Sequence, residues 1–219
     1  MNSFNIAFKS PSNIIISGPS QSGKTQLAFN LLKYKHEMFE DPPQSVLFFY
    51  SEWASKFDEM EKNKMVSEFH QNIPSIDDLK ILLSNYSHGD HKICIFDDLL
   101  HQINATVSNA FTVIGSKTKT TFVFLSQAQF HNNEHYKLMS QNAHALFICK
   151  SIRDKSHIIS LAKQFSPYDN KLLVQAYSKA TNNTPYSYLF IDCHQKSVDA
   201  LRLRTSIFPH EWPVEVYIS

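Results

Sequence analysis

The chain has 219 residues, of which 42% are hydrophobic and 19% charged. This balance excludes a disordered tail and is typical of a globular protein with room for one α/β domain. The formal net charge of +1 excludes a global attraction to polyanions. Any contact with a phosphate backbone must therefore come from a local basic patch, or from patches pooled by several subunits.

The three cysteines are Cys94, Cys149 and Cys193, and none belongs to a C-x-x-C pair. All lie in apolar, strand-like segments, where a cysteine acts as a small buried hydrophobe. This favours reduced thiols and a reducing compartment. No apolar run approaches the ~20 residues that a membrane span needs. The first residues, MNSFNIAFKSPSN, contain no signal-peptide core, so we expect no membrane partner.

Short apolar runs alternate with longer segments of helical periodicity along most of the chain. Continuous apolar strands between helices are buried on both faces, which indicates a mainly parallel sheet. The apolar runs predict strands at residues 13–17, 46–50, 93–96, 121–125 and 145–149. The periodicity predicts helices at residues 24–39, 54–69, 76–86, 99–113, 155–165 and 169–179.

The pattern changes near the C-terminus. Residues 186–192 (YSYLFID) and 201–204 (LRLR) alternate apolar and polar side chains, which predicts an antiparallel hairpin at the sheet edge. No repeat, low-complexity tract or linker divides the chain. We therefore expect residues 1–219 to form a single domain.

Residues 18–25, GPSQSGKT, fit the pattern G-x-x-x-x-G-K-[ST] of a Walker A motif, or P-loop. Glycines let backbone N–H groups point inward at phosphate oxygens, and the following helix directs its N-terminus at the same place. Lys24 is predicted to reach the β- and γ-phosphates of ATP, and the hydroxyl of Thr25 to be a Mg²⁺ ligand. The alternative is a chance Gly/Ser turn. The chain has only four glycines, however, and two of them occupy the glycine positions of the motif. The predicted nucleotide-binding residues are Gly18, Pro19, Ser20, Gln21, Ser22, Gly23, Lys24, Thr25 and Gln26.

The strand predicted at residues 93–96 ends in two acids, Asp97 and Asp98, as in a Walker B motif. Asp97 is predicted to hold Mg²⁺ through water, and Asp98 to polarise the attacking water as a general base. The alternative is an acidic turn that caps the next helix. Many motor ATPases carry the longer glutamate where Asp98 lies. Glu52, just after the second strand, is therefore a second candidate for the base.

Two further polar residues follow predicted strands. Gln127, with Ser126 before it, is predicted to contact the γ-phosphate and the lytic water; an ordinary polar residue leaving a strand is the alternative. Arg153 is interpreted as an arginine finger for a neighbouring subunit of a ring. A solvated arginine paired with Asp154 is the alternative.

The sequence lacks the motifs of several other classes of nucleotide-binding protein. A GTPase needs D-x-x-G and N-K-x-D, and an ABC transporter ATPase needs an LSGGQ-type signature, none of which occurs. The histidine pairs His88/His91 and His131/His135 have no cysteine partners, so we predict structural or solvated roles for them rather than metal binding.

Taken together, the motifs resemble those of the DNA-packaging ATPases of Polinton/Maverick-type elements and related large-DNA viruses, within the FtsK–HerA superfamily. The resemblance runs through NIIISGPSQSGKT, YSEW, IFDDLL, FLSQAQF, SQNAHALFICKSIRD, LAKQFSP and LRLRTSIFP. The fold class expected is α/β, a RecA/ASCE-like P-loop NTPase. Its three-layer sandwich would have a mainly parallel central sheet and a C-terminal antiparallel hairpin.

The resemblance also implies a function. It implies a translocase that uses ATP and Mg²⁺ to thread double-stranded DNA into a capsid, working as a homo-oligomeric ring that is usually taken as hexameric. Capsid portal or vertex proteins would be partners. The expected location is inside a host cell, in the nucleus or cytoplasm, and transiently at the capsid.

The DNA contacts are open at this point. The basic clusters available are Lys117 with Lys119, in a segment where relatives carry a histidine- and arginine-rich run, and Arg202 with Arg204. The two arginines alternate with leucines and would share one face of a strand. A solvated sheet face is the alternative.

Two other functions compete with DNA translocation. A P-loop small-molecule kinase usually carries an arginine-rich lid, whereas the clustered arginines here lie near the C-terminus. A nucleotide-gated assembly factor with little turnover is the third possibility.

Overall fold

The computed structural model describes residues 7–128, 132–153, 155–165, 170–182 and 184–218. The strands of this part of the chain are β1 (Ile14–Ser17), β2 (Ser45–Tyr50), β3 (Glu68–Gln71), β4 (Lys92–Asp97), β5 (Thr120–Ser126), β6 (Ala145–Cys149), β7 (Tyr188–Asp192), β8 (Leu203–Thr205) and β9 (Glu215–Val216). The helices are α1 (Lys24–Lys33), α2 (Lys35–Met38), α3 (Ser55–Lys62), α4 (Ile76–Ser84), α5 (Ala105–Asn109), α6 (Gly115–Thr118), α7 (Glu134–Gln141), α8 (Ser156–Phe165) and α9 (Lys171–Ala180).

All nine strands form one sheet in the order β3-β2-β4-β5-β1-β6-β7-β8-β9. The pairs from β3 to β6 are parallel, and those from β6 to β9 are antiparallel. The prediction of a mainly parallel sheet with an antiparallel C-terminal extension is confirmed. The extension has β9 as a third strand, which the sequence pattern did not predict.

Apolar side chains cover both faces of the sheet. In β1, Ile14 and Ile16 pack into one core with residues of α1, α2 and α3, whereas Ile15 packs into the other with residues of α4, α5, α7, α8 and α9. Successive side chains of a strand point to opposite faces, so one fully buried strand serves both cores. The expected three-layer sandwich is therefore present.

Two predicted helices are shorter than expected. The one expected at residues 24–39 is interrupted at Tyr34, between α1 and α2. The one expected at residues 54–69 ends at Lys62; Lys64 then has a φ of 52°, and β3 pairs with β2. The β3 sequence, EFHQ, has no apolar run, because an edge strand is only partly buried.

The segment predicted as a helix at residues 99–113 is also divided. A 3₁₀ turn (Leu100–Gln102) precedes α5, and a π-helical turn (Ala110–Ile114) follows it. The side chain of Asn104 accepts the Thr106 N–H and starts a new helix there. Helix α7, which the sequence analysis missed, is capped by Asn133. No helix among the described residues is long and apolar enough to cross a membrane.

Candidate phosphate- and metal-binding site

The loop between β1 and α1 lies at the carboxyl edge of the parallel strands. Gln21 has a φ of 62° and Gly23 a φ of 93°, so the backbone curls before the helix begins at Lys24. A Cβ on Gly18 would lie 2.6 Å from Cβ of Cys149, so only glycine fits this approach to β6. The first N–H groups of α1 have no partners within the helix and face the loop. This arrangement suits an anion.

Lys24 folds back over this loop. Its Nζ donates hydrogen bonds of 2.9 Å to the carbonyl oxygens of Gly18 and Pro19. Burial lowers the pKa of Lys24, and the negative charges of Asp97 and Asp98 act in the opposite direction. The ammonium group of Lys24 is therefore held at the opening of the P-loop, between the loop backbone and the carboxylates of Asp97 and Asp98.

The predicted Mg²⁺ ligands lie together. The hydroxyl of Thr25 donates to Oδ2 of Asp97 at 2.9 Å, although the two residues are 72 positions apart. Asp97 is the last residue of β4 and is buried; burial raises its pKa to about 6, while the Thr25 hydrogen bond and the charge of Lys24 lower it. A hydroxyl and a carboxylate are hard oxygen donors, so this set fits Mg²⁺.

Asp98 and Gln127 are also in contact. The side-chain amide of Gln127 donates to Oδ1 of Asp98, and the Ser51 hydroxyl lies 3.5 Å from Oδ2. Asp98 has a φ of 56°, in the left-handed region, which turns the exposed carboxylate out of β4. Ser126 fixes the exit of β5 by donating to the Ala128 carbonyl at 2.5 Å.

Glu52, the second candidate for the base, is exposed at the same sheet edge. Within the described chain it is Ser51, and not Glu52, that approaches Asp98. The sequence analysis missed Ser51. The only signal was its place directly after a predicted strand.

Arg153 lines a cavity of about 420 Å³ together with Gly18 and Gln127 of the same chain. The structure therefore brings this arginine to the loop within one subunit. Asp154, its alternative partner, lies outside the described residues. Gln26 points along α1, where its amide donates to Oδ1 of Asn30 at 3.0 Å.

A larger cavity, of about 790 Å³, lies at the opposite edge of the sheet. Its lining includes Asn13 and His144, which come just before β1 and β6. It is separated from the acid pair by the length of the strands and belongs to a different surface.

The basic clusters are placed differently from the expectation. Arg204 is buried and pairs with Asp192 at 3.0 Å. Arg202 precedes β8 rather than lying in it, and its guanidinium donates to the carbonyls of Asp192, His194 and Ser197. The expectation that both arginines share an open strand face is wrong, because both guanidinium groups bind a carboxylate or backbone carbonyls of the same chain.

The lysines lie at the far edge of the sheet, where β5 begins. Lys119 pairs with Asp41 at 2.7 Å and donates to the Gly89 carbonyl. Lys117 is exposed on α6. Of the predicted basic clusters, Lys117 is thus the member whose side chain faces solvent most fully.

Among the described residues, no three or more His, Cys, Asp or Glu side chains form a cluster that could hold a metal ion by themselves. His91 is fully buried between the Asp41 carbonyl and the Thr121 hydroxyl, a structural role. His131 lies outside the described residues. Cys94 and Cys149 are buried free thiols, and Cys193 lies just after β7, partly buried.

Comparisons with known proteins support the fold. No protein-family model matches the sequence, and no curated protein matches it. The genome packaging NTPase B204 of Sulfolobus turreted icosahedral virus 2, solved in complex with ATPγS, is similar in structure with a TM-score of 0.55. It is 11% identical, over 94% of this chain and 96% of that one.

This chain has the P-loop NTPase fold. EssC (ATPases 2 and 3) from Geobacillus thermodenitrificans is also similar to this chain in structure, with a TM-score of 0.60 and 13% identity. That alignment covers 95% of this chain but only 40% of the EssC chain.

Proposed function

We propose that this P-loop protein binds ATP with Mg²⁺, hydrolyses it, and uses the energy to package double-stranded DNA into a capsid. The observation that carries the proposal is the Thr25–Asp97 hydrogen bond, which joins the loop to the acid pair beside Lys24. Because β5 separates β1 from β4, this contact depends on the pairing of these three strands.

The loop residues have distinct roles in nucleotide binding. The backbone N–H groups of the loop after Pro19 and of the first turn of α1 would bind phosphate oxygens, and Lys24 would exchange its carbonyl partners for the β- and γ-phosphates. Thr25 would bind Mg²⁺ directly, and Asp97 through water. The metal would neutralise charge that develops on the phosphates.

Asp98 would accept the proton of the attacking water, and Gln127 would orient Asp98 and that water. The contact between Gln127 and Asp98 supports this assignment, as does the contact of Ser51 with the same carboxylate. Glu52 remains the second candidate for the base, with weaker support from its position.

The coupling to DNA rests on a likeness of fold to a viral packaging NTPase, together with the sequence resemblance. A homo-oligomeric ring, with a hexamer favoured, would pass the duplex through its centre inside the host cell, docked on capsid portal or vertex proteins. In that ring Arg153 would reach a neighbouring γ-phosphate. Its place beside Gly18 makes an action within one subunit the competing arrangement.

Phosphate release measured with and without long duplex DNA tests this function. We expect DNA to stimulate turnover, and Lys24→Ala to lower it by about 100-fold or more, because the phosphate charge loses its cation. Lys33→Ala, at the exposed end of the same helix, is the matched control and should retain activity.

The same assay separates the alternatives. Transfer of phosphate to a nucleoside acceptor would identify a small-molecule kinase. Tight ATP binding without turnover would identify an assembly factor. Equal turnover in the wild type and in Lys24→Ala would contradict the proposal as a whole.

Mixing two inactive variants tests the place of Arg153. If Arg153 acts in a neighbouring subunit, mixed rings of Arg153→Ala and Lys24→Ala should recover part of the turnover, because some interfaces then contain both intact groups. If Arg153 acts in its own subunit, mixtures should stay inactive.

A further inference from the structure

Tyr186 is an exposed aromatic residue directly beside the P-loop. It is 66% exposed, although apolar rings of this size are usually covered. A Cβ built on Gly23 would lie 3.4 Å from Cδ1 of the ring and 3.6 Å from Cβ of Tyr186. A side chain added at Gly23 would therefore touch Tyr186, which places the ring next to the last glycine of the loop.

The backbone beside Tyr186 is fixed to the same strand as the loop. The Ser187 N–H donates to the Thr184 carbonyl, and the Ser187 carbonyl accepts the Lys150 N–H at 3.0 Å. Lys150 directly follows Cys149, the residue on which Gly18 packs. The turn that carries Tyr186 and the P-loop thus share one rigid support, the end of β6.

The position of the Tyr186 ring along the sheet edge indicates which part of a bound nucleotide would lie next to it. Asp97 ends β4, which lies two strands from β1, on the far side of β5. Strand β7 begins just after Tyr186 and lies two strands from β1 in the other direction, on the far side of β6. Two strand spacings are about 10 Å. A nucleotide whose terminal phosphates face Asp97 would therefore direct its base toward Tyr186.

The ring also has an open face. Among the described residues no other aromatic ring stacks on Tyr186. Lys150 adds a positive charge nearby, with its Nζ 3.5 Å from the Thr184 carbonyl in the same turn. An open aromatic face beside a cation and an anion-binding loop matches the parts of a nucleotide, which has a flat base and an anionic chain.

We propose that Tyr186 is the base-stacking residue of the site and that the ligand class is a nucleoside triphosphate rather than a simple polyphosphate. This proposal rests on the proposed function, and it adds a residue from the C-terminal antiparallel extension to the binding site. The phenol hydroxyl has no role in stacking, so phenylalanine should replace tyrosine without loss.

Binding of Mg–ATP and of magnesium tripolyphosphate, which has no base, tests the proposal by calorimetry. Tyr186→Ala should raise the Kd for ATP about 5- to 150-fold, the range for loss of a base–aromatic stack, and leave the Kd for tripolyphosphate unchanged. Tyr186→Phe should bind both as the wild type does. Phe165→Ala, an exposed ring at the far end of α8, is the matched control and should change neither Kd.

The outcomes separate failure of this proposal from failure of the function. An unchanged Kd for ATP in Tyr186→Ala would overturn the stacking role while leaving the ATPase in place. An equal rise for ATP and tripolyphosphate would also overturn it, because the ring would then only support the loop. Failure of the wild type to bind either ligand would overturn both the ATPase proposal and the stacking role.

A fluorescence measurement supplies a second readout. Stacking on an aromatic ring quenches ethenoadenine, so ε-ATP should be quenched on binding to the wild type and to Tyr186→Phe. Tyr186→Ala, at ligand concentrations that saturate it, should show weaker quenching. Equal quenching in all three proteins would contradict a base stacked on this ring.

Discussion

The side-chain amide of Gln127, at the end of β5, donates a hydrogen bond to the carboxylate of Asp98, at the end of β4. The contact joins two neighbouring strands at the sheet edge that carries the P-loop. Together with the contact from the Ser51 hydroxyl, it fixes the direction of an exposed carboxylate. The two residues therefore form one unit, and each is expected to depend on the other.

The first prediction distinguishes the two candidates for the general base. Asp98→Asn should lower kcat by about 100-fold or more, the range for loss of a general base, with a smaller change in KM. Gln127→Ala should lower kcat in the same direction, because Asp98 loses its donor. Glu52→Gln should leave kcat within a few-fold of the wild type.

Steady-state phosphate release checks these three variants, and the double variant adds a test of coupling. If Asp98 and Gln127 act as a unit, Asp98→Asn with Gln127→Ala should be little worse than Asp98→Asn alone. A large loss in Glu52→Gln with full activity in Asp98→Asn would reverse the assignment.

The second prediction concerns the buried carboxylate of Asp97. Its pKa of about 6 lies above the ordinary value of 3.8, so the folded state holds a proton that the unfolded state releases between these pH values. The ionised group therefore lowers stability above about pH 6, and this penalty fades as the pH falls toward 4. Asp97→Asn, without Mg²⁺, should raise the free energy of unfolding by about 1–3 kcal/mol at pH 7.5.

Urea unfolding in EDTA at pH 7.5 and pH 4.5 measures this effect. The gain from Asp97→Asn should shrink at the lower pH, whereas exposed Asp98→Asn serves as the control for a charge change. The same Asp97→Asn protein should lose ATP turnover. A gain that is equal at both pH values would show that burial of the charge is not its cause.

The third prediction tests the close approach of the loop to β6. A methyl group on Gly18 would meet Cβ of Cys149 at 2.6 Å and the hydroxyl of Ser22 at 2.7 Å. Gly18→Ala should therefore lower the free energy of unfolding by about 1–3 kcal/mol, the usual cost of overpacking, and weaken ATP binding.

Gly89→Ala is the matched control, because nothing lies within 4 Å of the added Cβ. Its stability should stay within about 0.5 kcal/mol of the wild type. Thermal unfolding of both variants, with and without Mg–ATP, makes the comparison. If both glycine variants behave alike, the proposed contact between the loop and β6 is wrong.

The fourth prediction concerns Arg204, which packs over the ring of Phe190 and pairs with Asp192. Burial lowers the pKa of Arg204, and the charge of Asp192 raises it. Arg204→Ala should cost about 3 kcal/mol of stability, because it removes one partner of a buried ion pair. Lys117→Ala, on an exposed residue, should cost almost nothing.

Chemical unfolding and DNA-stimulated turnover together check this prediction. Arg204→Ala should alter stability, and any loss of DNA stimulation should follow the fraction unfolded. A fully stable Arg204→Ala protein that no longer responds to DNA would return this arginine to the DNA-binding surface.

Much of the fold could be predicted from the sequence, because buried parallel strands consist of continuous apolar residues. The runs at residues 93–96 and 145–149 coincide with β4 and β6 within one or two residues. Strand β3 could not be found in this way. Three of the four residues in its EFHQ sequence are polar, and its pairing with β2 depends on where α3 ends.

The candidate site likewise contains contacts that the sequence predicts and contacts that it does not. Parallel strands end at a common edge, so the meeting of the P-loop with Asp97 follows from the order of motifs alone. The contact of Ser51 with Asp98, and the place of Tyr186 beside Gly23, depend on turns whose geometry no local pattern encodes. The burial of Arg204 depends on Asp192 of the neighbouring strand, so the alternation in LRLR was misleading.

Strand β5 is inserted between the strand that leads into the P-loop and the strand that ends in the two acids. Its tip therefore borders both, and Gln127, which follows it, contacts Asp98. Under the proposed function, Gln127 would lie beside the bond to the last phosphate of a bound nucleotide. We expect a change at that point to act on the end of β5, which begins directly after Lys119 at the opposite edge of the sheet. The seven buried residues of β5 thus join the edge that carries the P-loop to the edge where Lys119 lies.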